Sequence, residues 1–172
     1  DDYYMWEDEN APWYDCDVKK VIIEYGVTSI GDFTFSGCSN LTSITIPDSI
    51  MSIGNFAFTG CSSLTSVTIP DSMRIISDHA FGGCSSLTSI TIPASVDYIG
   101  YEVFDGCESL ASITVDEGNQ EYSSDEYGAL FNKDKTVLLM YPSGNERTTY
   151  NIPDSVTSVG YSVFNPYTFR PF

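Results

Sequence analysis

Positive charge is what this chain most lacks: 7 Lys and Arg stand against 24 Asp and Glu in 172 residues, a formal net charge of −17. Such a surface repels phosphate backbones and anionic lipid headgroups, which argues against nucleic-acid and membrane-surface partners. Long apolar runs are missing too. None approaches the roughly 18 residues of a membrane-spanning helix, and the chain opens on Asp1 and Asp2 instead of a basic and apolar leader. The expectation is either a cytosolic protein or a mature or excised piece of a larger secreted one, without membrane insertion. Histidine occurs once, at His79, and no serine sits in a G-x-S-x-G elbow, so a Ser-His-Asp triad lacks its parts. No two cysteines form C-x-x-C and no D-x-D-x-D-G loop occurs, which removes the usual zinc and calcium signatures. Asp116 with Glu117 and Asp125 with Glu126 are adjacent carboxylates in turns, whereas glycoside hydrolysis needs two held across a cleft. No enzyme, no metal and no cofactor are expected.

What is present is a repeat. Leu41, Leu64, Leu87 and Leu110 stand 23 positions apart, as do Cys38, Cys61, Cys84 and Cys107. A fixed period in the twenties means a solenoid, whose units are too short to bury their own apolar faces and become stable by stacking. In the unit from Leu41 to Ser63, the alternation through Ile44 and Ile46 predicts a strand with one buried face, ended by Pro47 and turned by Asp48 and Ser49. Ile50, Ile53 and Phe58 recur as Met73, Ile76 and Phe81 and as Val96, Ile99 and Phe104, so they point inward from a return arm. Residues 18–40 fit as a first, degenerate unit. Ile152, Pro153, Val156, Val159 and Phe164 match a last unit that lies out of phase: Leu110 to Ile152 spans 42 positions where Leu41 to Ile46 spans 5, so the gap is one period of 23 plus an insertion of 14. Within the insertion, runs at Ala129 to Phe131 and Thr136 to Tyr141 flank Asn132 to Lys135, the pattern of a β-hairpin.

The repeated text LTSITIPDSxxxIGxxAFxGCSS resembles the BspA-like class of leucine-rich repeats over about residues 18–164. The insertion resembles an irregular repeat of that family, and Ala11 to Tyr14 resemble a segment preceding its first repeat. The resemblance implies a secreted or cell-wall-attached module used in adhesion or protein binding. The expected fold is an α/β-type solenoid with one short parallel strand per repeat, loop-rich return arms and one irregular hairpin repeat. A single domain is expected over 1–172: a cap at 1–17, regular repeats at 18–115, the insertion at 116–149, and a last repeat with cap at 150–172.

Candidate binding residues follow from what varies and what is aromatic. The four in-phase cysteines predict an inward, reduced ladder in a packing role, with a neighbour disulfide or a metal as lesser alternatives; Cys16, one residue out of period, stays open. Ser and Thr pairs such as Ser66 with Thr68 and Ser89 with Thr91 form a hydroxyl-rich strand face with few anchors for a tight contact. Two columns vary among near-identical copies: Phe33, Phe56, His79, Glu102 and Ser162, and Thr28, Met51, Arg74, Asp97 and Thr157. Both are expected outside, as drift on a solvated face or, alternatively, as a recognition stripe containing Phe56, Arg74 and His79. Tyr3, Tyr4, Trp6, Trp13 and Tyr14 sit among seven acids in residues 1–17, fitting an end cap or a stacking platform; Tyr122 and Tyr127 bring aromatics to the insertion, and Tyr167, Phe169 and Phe172 suit a second cap. The functional expectation is a monomeric, extracellular, non-catalytic binding module whose protein ligand, or less favoured glycan ligand, carries a basic patch. The alternative is a passive spacer within a larger surface protein.

Overall fold

The computed structural model describes residues 17–164 and shows a β-solenoid of about six turns, with no helix among the described residues. The expected α/β label therefore has no helical layer to rest on. Strands form where period-two alternation buries alternate side chains: β1 (Lys20–Ile22) lies parallel to β3 (Ser43–Thr45), with Lys20 opposite Ser43, one period away. Further along, β6 (Ser89–Ile92) pairs in the same way with β8 (Ser112–Val115). Between them Val67 and Ile69 are buried while Ser66 and Thr68 face out, but no strand is formed there, so the expected continuous sheet is split into two pairs.

The return arms carry a second sheet that the repeat pattern did not announce. Two-residue strands β2 (Ser29–Ile30), β4 (Ser52–Ile53), β5 (Ile75–Ile76) and β7 (Tyr98–Ile99) pair in parallel, each one period from the next. Regular units thus hold strands on both faces, a correction to one strand per repeat. Between the two faces the chain turns at proline: the carbonyls of Pro47, Pro70 and Pro93 accept from the N–H groups of Ile50, Met73 and Val96. Leu41, Leu64, Leu87 and Leu110 fill the core beside a column of stacked rings, Phe35, Phe58, Phe81 and Phe104, with centroids 5.2, 5.2 and 5.8 Å apart.

The cysteine column is only partly as expected. Cys61, Cys84 and Cys107 are buried free thiols, each donating to the carbonyl of Phe35, Phe58 or Phe81 at 3.2 Å. Cys38, at the same phase, is disulfide-bonded. Equal phase puts the four Cβ atoms in one column but does not give the first copy the same neighbours as an interior one. Cys16 lies outside the described residues.

The insertion adds β9 (Tyr122–Ser124), β10 (Leu130–Asn132) and β11 (Val137–Met140), antiparallel in turn, and β11 then pairs in parallel with β12 (Ser158–Val159) of the last unit. The expected hairpin is β10 with β11, closed through Lys135 at φ 56°; β9 makes it a three-stranded meander. Buried Asn119 anchors its start, with Nδ2 donating to the carbonyls of Pro93 and Val96 while Oδ1 accepts from Glu121 and Tyr122 N–H. The last unit packs less tightly than its match to the second unit implies. Val163 takes a buried place and Phe164 is 53% exposed, resting against Tyr141 and Tyr150.

Candidate functional site

In the regular stack every return arm hands three N–H groups, two residues apart, to three carbonyls of the next arm. His79, Phe81 and Gly83 donate to Tyr101, Val103 and Asp105 at 2.9, 2.9 and 2.7 Å, and the two earlier arms repeat the arrangement. A side-chain ladder runs alongside: Asp32 Oδ1 accepts from Asn55 N–H, Asn55 Oδ1 from Asp78 N–H, and Asp78 Oδ1 from Tyr101 N–H. The insertion interrupts both series. After the 98–106 arm no arm follows directly, and β7 and β11 are not in contact.

A cavity of about 640 Å³ opens at that interruption. Tyr98 to Asp105 form one wall; Leu139 to Tyr141 and Gly160 to Val163 line the other side, and Tyr122, Leu130 and Ser143 complete the lining. Its rim carries the two copies in which tyrosine replaces the Asp or Asn of the side-chain ladder, Tyr101 and Tyr161, 76% and 85% exposed. Its interior is mainly apolar, with two buried polar atoms, Asp105 Oδ2 and the Tyr141 hydroxyl, that find no hydrogen-bond partner. Asp105 itself is 6% exposed. Tyr101, Asp105 and Tyr161 were not among the candidate residues read from the sequence. The available signal was the column Asp32, Asn55, Asp78, Tyr101, Tyr161, where the residue type changes only in the two copies flanking the insertion.

Other candidates are distributed differently from expectation. Arg74 is exposed, as its varied column required, and pairs with Asp97 at 3.0 Å. The column of Phe56 and His79, expected outside, is half-buried beyond Phe33. Each of its members has φ between 49° and 58°, a left-handed turn that lays successive side chains on one another. Phe33 stacks on Phe56 at 5.0 Å, Phe56 on His79 at 4.7 Å, and His79 Nε2 lies 3.6 Å from Glu102. Tyr122 is half-buried, its hydroxyl accepting from Ile99 N–H at 2.9 Å, and burial raises its pKa above the ordinary tyrosine value. Tyr127 lies under the Arg147 guanidinium, 4.0 Å from its ring centroid. Tyr3, Tyr4, Trp6, Trp13 and Tyr14 lie outside the described residues, as do Tyr167, Phe169 and Phe172.

The adjacent carboxylates are committed to turns. Asp125 Oδ1 accepts from Tyr127 and Ala129 N–H while its Oδ2 takes the Tyr150 hydroxyl at 2.6 Å, and Asp116 accepts from Gly118 N–H. Among the described residues no three His, Cys, Asp or Glu side chains converge to hold a metal, and no helix is long and apolar enough to cross a membrane.

Residues 9–129 match the BspA type leucine rich repeat region in six copies. Solved structures that are similar include a leucine-rich repeat protein of Eubacterium ventriosum, 32% identical with a TM-score of 0.70, covering 91% of this chain and 48% of that one. The pneumococcal vaccine antigen PcpA is 29% identical with a TM-score of 0.73, covering 87% of this chain and 41% of its own. A leucine-rich repeat protein of Bacteroides ovatus is 30% identical with a TM-score of 0.63, over 88% and 45%. The chain thus spans less than half the length of each. No curated protein matches. With six copies of the repeat covering most of its length, the chain belongs to the BspA type leucine-rich repeat family.

Proposed function

We infer that this chain is a non-catalytic recognition module of a secreted or cell-surface protein and that it binds a protein partner at the interruption of its stack. The observation that carries this reading is the cleft of about 640 Å³ between the 98–106 arm and the last unit. Concave, mainly apolar sites with a few convergent polar groups are where proteins take ligands, and exposed tyrosines are favoured anchors. Family membership supports the adhesion or binding role, and similarity to a protein described as a vaccine antigen supports a surface location. The net charge of −17 favours a partner with a basic patch. Tyr101 and Tyr161 also present faces on which a sugar ring can stack, which makes carbohydrate the second reading.

The test compares two double variants against a partner identified by cross-linking on the intact parent protein. Tyr101→Ser with Tyr161→Ser is expected to weaken binding by about tenfold or more, as loss of two aromatic anchors does. Thr68→Lys with Thr91→Lys, on the hydroxyl face, is expected to leave it unchanged. The reverse pattern places the site on the strand face and overturns this reading, and indifference to both leaves a passive spacer.

A further inference from the structure

The first unit of the stack leaves apolar columns open. Val18 and Val27 are 46% and 45% exposed, although Leu41 and Ile50, which follow them one period later in the same columns, are fully buried. Ile22 and Tyr25 are exposed beside them. Among the described residues β1 pairs with β3 alone and β2 with β4 alone, so both sheets end there on a free edge. Apolar ends and free edges of this kind need a cover. Lys19 and Lys20 are exposed at the same place, and neither forms an ion pair among the described residues.

The disulfide at Cys38 points to what covers this end. The chain has five cysteines; Cys61, Cys84 and Cys107 are free and Cys38 is bonded, so the one cysteine of the chain left to bond it is Cys16. The register just downstream brings these two positions together. Asn40 Nδ2 donates to Asp17 Oδ1 at 3.4 Å, Thr42 N–H and Oγ1 donate to the Lys19 carbonyl at 2.9 and 2.8 Å, and Lys20 lies opposite Ser43, every pair one period of 23 apart. Carried one residue upstream, that register sets position 16 opposite Ser39, the neighbour of Cys38. With strands about 4.8 Å apart and a rise of about 3.3 Å per residue, the two Cα atoms come about 6 Å apart, inside the range a disulfide spans. The family match begins at residue 9, so the repeat frame itself continues upstream of Asp17.

We propose that Cys38 is bonded to Cys16 and that this bond latches residues 1–16 across the open end of the first unit. The segment has the chemistry that end calls for: Trp6, Trp13, Tyr3, Tyr4 and Tyr14 against the exposed Val18, Ile22 and Val27, and six acids against Lys19 and Lys20. The bond narrows the conformations open to the undocked segment, so less entropy is lost when it docks. Its formation passes two electrons and two protons from the two thiols to an external disulfide, which becomes two thiols; an oxidising compartment supplies that reactant, in keeping with a secreted or surface protein. The aromatics of residues 1–16 are then committed to the fold instead of to a ligand, whatever binds at the cleft.

Two measurements test the bond and the cover separately. The full chain is unfolded in urea with iodoacetamide and no reductant, then digested with trypsin. A fragment ending at Lys19 or Lys20 is expected to remain covalently joined to the fragment ending at Arg74, which carries one alkylated cysteine, Cys61, and reduction should part them. Covalent dimers of the chain, or an alkylated Cys16, overturn the pairing. The cover is read by amide hydrogen exchange on the folded chain: Cys16→Ser, and separately Trp13→Ala with the disulfide intact, should each speed exchange at Lys20–Ile22 and Ser43–Thr45 by about tenfold or more and leave Ser112–Val115 unchanged. Exchange in β1 that neither variant alters overturns the cover even where the bond is mapped. Should Cys16→Ser fail to fold, Trp13→Ala and the fragment map still decide the two points.

Discussion

Cys61, Cys84 and Cys107 have no reason to ionise in the folded chain, because each thiol proton is bonded to a carbonyl in a site closed to water. Burial pushes the thiols of Cys61 and Cys107 up to about 12 from an ordinary 9.0, and raises Cys84 as well. The neutral form is therefore the one the fold favours. The resulting stability is complete below pH 9, where unfolded thiols also keep their protons, and falls as pH rises from there through the folded value of about 12. Urea midpoints measured against pH should drop across that window, and a variant with alanine at all three positions should drop less; equal slopes would contradict it. In the native chain at about pH 8 a thiol reagent should leave these three unlabelled, and Cys38 should react only after unfolding with a reductant present. Fast native labelling would refute the column. The inward placement of this column was legible because four cysteines share one phase. The disulfide at Cys38 was not, since phase says nothing of how the first copy of a stack differs from interior ones. The same limit applies to His79: chemical variety among Phe56, His79 and Glu102 suggested solvent, whereas a left-handed turn in every copy lets unlike side chains stack half-buried.

At the scale of elements, the meander is held to the stack by two glycines at which a side chain has no room. A Cβ on Gly128 would lie 2.6 Å from Ser112 Cα and at φ +79°, while one on Gly144 would lie 2.4 Å from the Ser109 carbonyl carbon. Gly26, at φ +107°, has nothing within 4 Å and separates the two costs. Gly26→Ala is expected to cost about 1 kcal/mol from backbone strain alone, and Gly128→Ala or Gly144→Ala about 3 kcal/mol, because backbone must shift. Equal losses at the three positions, measured by urea unfolding, would show that the meander is not docked by close approach there. Its hairpin was legible from two apolar runs flanking a polar tetrad, but its first strand was not. Tyr122–Ser124 lacks an alternating apolar pattern and owes its position to buried Asn119 and to pairing with Leu130–Asn132. The cleft was legible only as a break in phase: the last unit comes one period of 23 plus 14 residues late, which shows that the period is broken but not which face of the stack is left open.

For the whole molecule, a stack of near-identical units contributes rigidity and a uniform hydroxyl face, so discrimination falls to the place where the copies differ and to the field of the entire chain. Ion pairs do little to cancel that field: Arg74 with Asp97 is an exposed pair that neutralises one acid among 24. A charge of −17 acts at long range on an approaching partner and weakly on the docked complex, where desolvated contacts decide the lifetime. The association rate with a basic partner should therefore fall by about tenfold as salt rises well past the concentration at which the screening length is about 10 Å, with the dissociation rate nearly constant. Stopped-flow or surface binding kinetics over a salt series separate the two. A dissociation rate that climbs with salt while association stays level would mean that charge pairs within the interface hold the complex together, and that the acidic surface as a whole does not steer it.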